Sequence, residues 1–323
     1  MKSVFKLEWR YNALYILTWY FFSTALSVYN KTLMGKDHYN FNLPLLMSAV
    51  HSGIHTLITR AFIKYSNQKV QRYSNMEYFV KLVPCGIAAA VEICCANASL
   101  VLITLSFYTM IKSSTPVWVL IFSFMFGFEK PRINLIAVIS CIVFGVWLTI
   151  DGEPKFDTKG FILVLTAAVA SGLRWNMTQY LMKSSKGNIK ENSPLATMYH
   201  LSPIMFITML TLSLIIEKPF HQQPSSIYYF DSLQKSLMSV LIMSFGGVLA
   251  FIMTIAELYL IKGTSTVTLS VAGISKEIVV ISLSVLIYGD ELTLKTYMGL
   301  VVSIIGIIGY NYYKYTSVKT HVK

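Results

Sequence analysis

Charge is what this sequence has least of. Lys, Arg, Asp and Glu make up 13% of the 323 residues, about half the share of an ordinary soluble domain, which excludes that class. Cysteine is also scarce. Cys85, Cys94, Cys95 and Cys141 each fall in an apolar run and none forms a C-x-x-C pair, so neither a disulfide framework nor a zinc site is expected. There is no H-E-x-x-H, no nucleophile elbow and no pair of catalytic carboxylates; an enzyme, a resident metal and a cofactor are therefore not expected. The net charge of +12 raises the question of nucleic acid. The basic residues lie between apolar runs, however, where membrane topology places them, and that sets nucleic acid aside.

What is abundant is apolar surface: 54% hydrophobic residues and a mean hydropathy of +0.57. The runs predict membrane-spanning helices at about 11–34, 43–63, 80–104, 106–128, 133–150, 159–181, 195–216, 238–261, 264–288 and 294–313, each near the roughly 20 residues that a bilayer core requires. Barrel strands are shorter and alternate in polarity, so an all-α polytopic protein of about ten transmembrane helices is expected. Residues 1–323 then form a single membrane domain. An even count puts both termini on one face, which carries seventeen Lys and Arg against seven on the other. The positive-inside rule makes that face cytosolic. The short basic start (Lys2, Lys6, Arg10) runs directly into the first span and has neither the length nor the Ser content of a transit peptide.

Lys112, Arg174 and Lys276 remain inside the spans, with Glu92, Glu257 and Glu277. A lysine in hydrocarbon costs about 2.5–3.5 kcal/mol on insertion scales, so such residues mark a pathway, a partner or a bound ligand. Lys112 has Tyr108 and Thr115 on its helix face, and Asn97 lies one span earlier; these are candidates to orient a ligand. Lys112 is also near enough to its span's start, about 9 Å, to snorkel to the interface. Lys276 is about twice as deep. Arg174 offers the planar fork that matches phosphate, or alternatively an ion pair with Glu92 or Glu257 that fixes helix packing. Glu277 follows Lys276 directly, so the two point about 100° apart. It is a candidate to balance a cation or to carry a coupling proton. Glu92, among small residues, reads as a structural pairing group. His51 and His55 are spaced i, i+4 on the second span with no third ligand in view; proton or substrate contact and polar helix packing are the remaining readings.

The chain also looks doubled. G-F-E-K-P ends the fourth run and G-D-E-L-T the ninth, so that a shift of 162 residues places Gly127 on Gly289 and Glu129 on Glu291. Five spans separate the two. An odd repeat inserts in inverted orientation, the plan of secondary transporters with a site at the repeat interface. Residues 11–150 and 159–315 would be the two halves, around a central cavity.

Several stretches carry a resemblance: Y-N-K (29–31), S-F-Y-T-M-I-K-S-S-T-P (106–116), D-G-E-P-K-F-D (151–157), G-L-R-W-N-M-T-Q (172–179) and A-G-I-S-K-E (272–277). In this order they resemble the triose-phosphate/nucleotide-sugar transporter family of the drug/metabolite transporter superfamily, and most of all its ER and Golgi branch. The resemblance implies two inverted five-helix halves and exchange of phosphorylated sugars or nucleotide-sugars for phosphate or nucleoside monophosphate. It also implies phosphate contacts at Lys112, Arg174 and Lys276. Two parts of the plastid exchangers' phosphate clamp are absent. Glu277 stands where they carry arginine, and Met253 where they carry tyrosine.

The expected function is thus an antiporter of nucleotide-sugars in a Golgi or ER membrane. Its partners would be a phosphorylated small molecule and the lipid bilayer, with a homodimer compatible. A sugar-phosphate or other organic-anion carrier, and a non-transporting scaffold or regulator that keeps the fold, stay open.

Overall fold

The structure, a computed structural model, describes residues 2–35, 39–67, 70, 73–128, 133–183, 193–219, 232–263 and 266–321. Glu129, Lys130 and Pro131, part of the expected repeat signature, lie outside the described residues. So do Lys36, Lys69, Arg72, Arg132, Lys186, Lys190 and Lys323 among the basic residues counted for topology.

The described chain is helical with no strand. The elements are α1 (Lys2–Met34), α2 (Pro44–Ser66), the single turn α3 (Asn75–Glu77), α4 (Val83–Leu100), α5 (Leu105–Lys112), α6 (Thr115–Met125) and α7 (Ile133–Gly152). There follow α8 (Thr158–Lys183), α9 (Pro194–Leu212), α10 (Leu233–Gly263), α11 (Thr266–Tyr288) and α12 (Leu294–His321). π-Helical turns at Tyr78–Leu82 and Ser213–Glu217 lead into α4 and prolong α9. Five stretches combine the length and apolarity needed to cross a membrane: Asn75–Leu100, Leu135–Gly152, Thr158–Leu181, Pro194–Glu217 and Leu233–Leu260. Together they make the chain a multi-pass membrane protein.

The helix starts follow local chemistry. Thr104 caps α5 by accepting from Phe107 N, and Ser193 caps α9 by accepting from Ala196 N. Proline opens α2 and α9, where a missing N–H costs nothing. Gly127 and Gly289 follow α6 and α11 at φ +71° and +65°, a left-handed conformation that glycine adopts without penalty.

One expectation fails in an informative way. The helix predicted over 106–128 breaks after Lys112 into α5 and α6. Pro116 has no N–H to give the Lys112 carbonyl, and the Thr115 hydroxyl takes its place at 2.7 Å. Ser113 and Ser114 turn their hydroxyls back onto the carbonyls of Thr109 and Ile111. The break therefore exposes little unsatisfied backbone, and it falls beside the most functionally suggestive lysine of the span.

The principal packings join α7 to α12, α4 to α8, α2 to α9, α1 to α10, α6 to α8, α2 to α10 and α4 to α9, with α5 set against α11. Where α1 ends and α2 begins, an apolar plug forms from Leu33, Met34, Phe41, Leu43, Met47 and Leu105, all buried. Burying each such side chain contributes about 1.5–3 kcal/mol.

Candidate functional site

Four ionic side chains from four helices meet in one chain of contacts. Glu92 on α4 accepts from Lys112 Nζ of α5 at 3.0 Å through one oxygen and from Arg174 Nε of α8 at 2.5 Å through the other. Arg174 also reaches Glu257 of α10 at 3.7 Å. The Lys112 ammonium has the Ala167 carbonyl of α8 at 3.5 Å. Lys112 and Arg174 keep 19% and 20% of their side-chain surface accessible, so neither side chain is fully buried. Lys112 does not snorkel; its amine is anchored inward by Glu92. Arg174 is paired with Glu92 and Glu257.

The other two ionic groups stand outside this chain. Lys276 on α11 lies 4.6 Å from the ring centre of Trp19 on α1, a cation–π contact. Among the described residues no carboxylate lies within salt-bridge distance of it, although Glu277, Glu257, Lys112 and Glu92 are within electrostatic reach. Glu277 meets the hydroxyl of Ser113 at 2.8 Å, at the break between α5 and α6. The structure thus brings all six expected ionic residues into one neighbourhood.

The remaining candidates separate. Tyr108 is partly buried and shares the neighbourhood, within electrostatic reach of Glu92. Thr115 spends its hydroxyl on the Lys112 carbonyl. Asn97 is buried elsewhere: it donates to Ser48 Oγ at 2.8 Å and accepts from Asn30 Nδ2 at 3.1 Å, tying α1, α2 and α4 together. A ligand contact at Asn97 finds no support in this geometry, because both ends of its amide are taken. His51 and His55 are buried against α10. A side chain at Gly246 would stand 2.6 Å from His51 Nε2, and the His55 ring meets Phe251 edge-on at 5.8 Å. Each ring also hydrogen-bonds the backbone of α10, His51 at Met243 and His55 at Gly247, so both tie α2 to α10. Among the described residues no three His, Cys, Asp or Glu side chains come together as a metal site would require.

Sequence reasoning missed three charged residues that hold helix ends. Lys31 donates to the carbonyls of Leu100 and Ile103 at 2.8 and 2.6 Å, a cation on the negative end of α4. Glu217 accepts from Leu45 N and Leu46 N at 2.6 and 2.9 Å, and from Ser213 Oγ at 2.7 Å. Asp290 accepts from the backbone and the hydroxyl of Ser106 at 3.0 and 2.7 Å, and from Ser284. The first turns of α2 and α5 are thus capped by acids contributed far along the chain. Only Lys31 had a visible signal, the Y-N-K at the end of the first span.

Comparison with known proteins bears directly on this arrangement. The model of the Triose-phosphate Transporter family matches residues 11–311. The chain belongs to the triose-phosphate transporter family. It is 39% identical over 304 residues to an Arabidopsis thaliana protein named "Probable sugar phosphate/phosphate translocator At1g06470", covering 93% of this chain and 72% of that one. It is 27% identical to a Saccharomyces cerevisiae protein named "Putative nucleotide-sugar transporter YMD8", covering 93% of this chain and 84% of that one. A crystal structure 14% identical in sequence superposes with a TM-score of 0.53 over 94% of this chain and 96% of that one, a likeness of fold alone. As a member of this family the chain is a transporter and not an enzyme.

Proposed function

We propose that this chain is a secondary carrier of phosphorylated sugars that works by alternating access, with its site at the Glu92–Lys112–Arg174 contact and Lys276 beside it. One observation carries this reading. A single carboxylate is gripped by a lysine through one oxygen and an arginine through the other, which is how a phosphate would be gripped. Glu92 holds the two cations in place while the site is empty, and an arriving phosphate competes with it for them. Lys276 needs only to leave Trp19 to make the third contact. No bond in the cargo is made or broken, so rigid-body rocking about a fixed central site suffices.

Sugar phosphate is preferred over nucleotide-sugar as the cargo because the relative at 39% identity carries the sugar phosphate name. The second reading, a nucleotide-sugar exchanged for nucleoside monophosphate, is favoured by the yeast relative's name and by Glu277 and Met253 in place of clamp residues. The excess of basic residues on the side of the termini supports cytosolic termini, and an ER or Golgi membrane rests on the resemblance noted above.

The deciding experiment is uptake by reconstituted full-length protein of labelled inorganic phosphate, glucose 6-phosphate and UDP-glucose, each against vesicles preloaded with phosphate or UMP. Uptake of the first two supports the sugar-phosphate reading. Uptake of UDP-glucose alone moves it to nucleotide-sugars. No uptake of any probe by monodisperse protein favours the scaffold.

A further inference from the structure

The Lys276 ammonium stands over the face of the Trp19 ring, 4.6 Å from its centre. An aromatic face carries negative potential, so it attracts an ammonium and repels an anion. A charge-assisted hydrogen bond to phosphate is the stronger attraction for that lysine. A phosphate at the neighbouring cations therefore draws the ammonium off the ring but cannot take its place there. Whatever settles on the ring has to be uncharged or weakly positive.

The ring itself is fixed. Trp19 is 6% exposed and packs with Ala256 and Leu260 of α10, and Tyr15 of α1 and Trp175 of α8 pack against these three. Tyr15 in turn stacks on Tyr259 of α10, with ring centres 5.1 Å apart and planes within 6°. Side chains of three helices thus hold the indole in place when the lysine leaves it. The same cluster borders the second cation, since the Arg174 guanidinium lies 5.6 Å from the centre of the Trp175 ring. The site therefore has two characters side by side: cations that suit phosphate, and a rigid aromatic wall. A sugar phosphate has the same two. The C–H bonds on one face of a sugar ring are apolar and weakly positive, and they lie flat against a negative aromatic face.

We infer that Trp19 selects the organic part of the cargo: as the phosphate draws Lys276 away, the ring face passes from the ammonium to the sugar. This rests on the reading of the site as a carrier of phosphorylated sugars, and it names the residue that meets the sugar. Trp19 is then a specificity residue. Inorganic phosphate also pulls Lys276 off the ring, but it has nothing to put there, so the cation–π contact is lost without replacement. A hexose phosphate replaces it. The ring thereby favours a sugar phosphate over free phosphate at a site whose cations alone would treat the two alike.

The test measures half-saturating concentrations of labelled inorganic phosphate and labelled glucose 6-phosphate, each exchanged by full-length protein in vesicles preloaded with phosphate. In Trp19→Leu the two should move in opposite directions. Glucose 6-phosphate should require about three- to tenfold more, the scale of a contact on an aromatic face. Inorganic phosphate should require about two- to fivefold less, because Lys276 no longer has to leave a ring. Trp19→Phe, with a smaller face, should fall between wild type and Trp19→Leu for both probes, and it carries the test where Trp19→Leu does not give monodisperse protein. A merely structural role for Trp19 would weaken both probes together. Changes in the same direction, or no change in either, overturn the inference while leaving the carrier reading intact. Wild-type protein that exchanges neither probe removes the sugar-phosphate reading, and the inference with it.

Discussion

Between α7 and α12 the backbones touch, whereas Lys112 of α5 and Glu257 of α10 reach Glu92 and Arg174 of the packed α4–α8 pair through long charged side chains. At the first contact a side chain on Gly145 would lie 2.6 Å from the backbone of Ser303 and 2.7 Å from the carbonyl of Gly299; one on Gly299 would lie 2.6 Å from the carbonyl of Gly145. Close approach of this kind is how helices associate in lipid, where apolar burial alone offers no preference. It leaves no room for relative movement. At the second contact lysine, arginine and glutamate meet through ion pairs at 2.5 to 3.7 Å, and such side chains have more rotamer freedom than a packed backbone. The first seam fixes the scaffold; the second can respond to a ligand.

Substitutions should separate these two kinds of contact. The largest effect is expected at Gly145→Leu, which forces backbone against side chain. Overpacking of this kind costs about 1–3 kcal/mol or more, read as loss of monodisperse protein or a large fall in Tm in detergent. Wild-type yield and Tm in that variant would show that the seam is not fixed. Next is Lys276→Ala, expected to keep its Tm and lose transport about 30-fold or more, as loss of one charge-assisted contact to a bound phosphate, about 1.5–3 kcal/mol, does. Smallest is Lys31→Met. It removes the cation from the end of α4 and should lower stability by about 1 kcal/mol, with transport affected only through the amount of folded protein. A transport defect at Lys31 larger than that at Lys276 would reverse the division of labour.

Much of this was legible in the sequence, for identifiable reasons. Apolar runs declare spans because lipid leaves the backbone few other options. Lys112, Arg174, Lys276 and the three glutamates stood out because charge is rare inside those runs. The S-S-T-P after Lys112 was visible, but its consequence was not: whether proline breaks or merely bends a helix depends on what fills the freed carbonyl, here the hydroxyl of Thr115. Asn97 shows what a sequence leaves out about a polar residue's partners. A polar residue near a predicted site was assigned to the ligand, while its amide is taken by Asn30 and Ser48. Glu217 and Asp290 looked like ordinary loop acids. Their partners stand 171–172 and 184 residues away, and nothing local announces such a pairing.

Those two acids bear on how the molecule could reverse itself. Both come from the later part of the chain and clasp the opening turns of α2 and α5, helices of the earlier part. A thiol bridge or a packed glycine seam would weld the parts together. A carboxylate on an amide hydrogen is a different fastening, since water can replace either member and the net worth of such a bond to a charged group is about 1.5–3 kcal/mol. A clasp of that strength yields when a modest free energy is applied elsewhere, which is the range that docking of a small anion can supply.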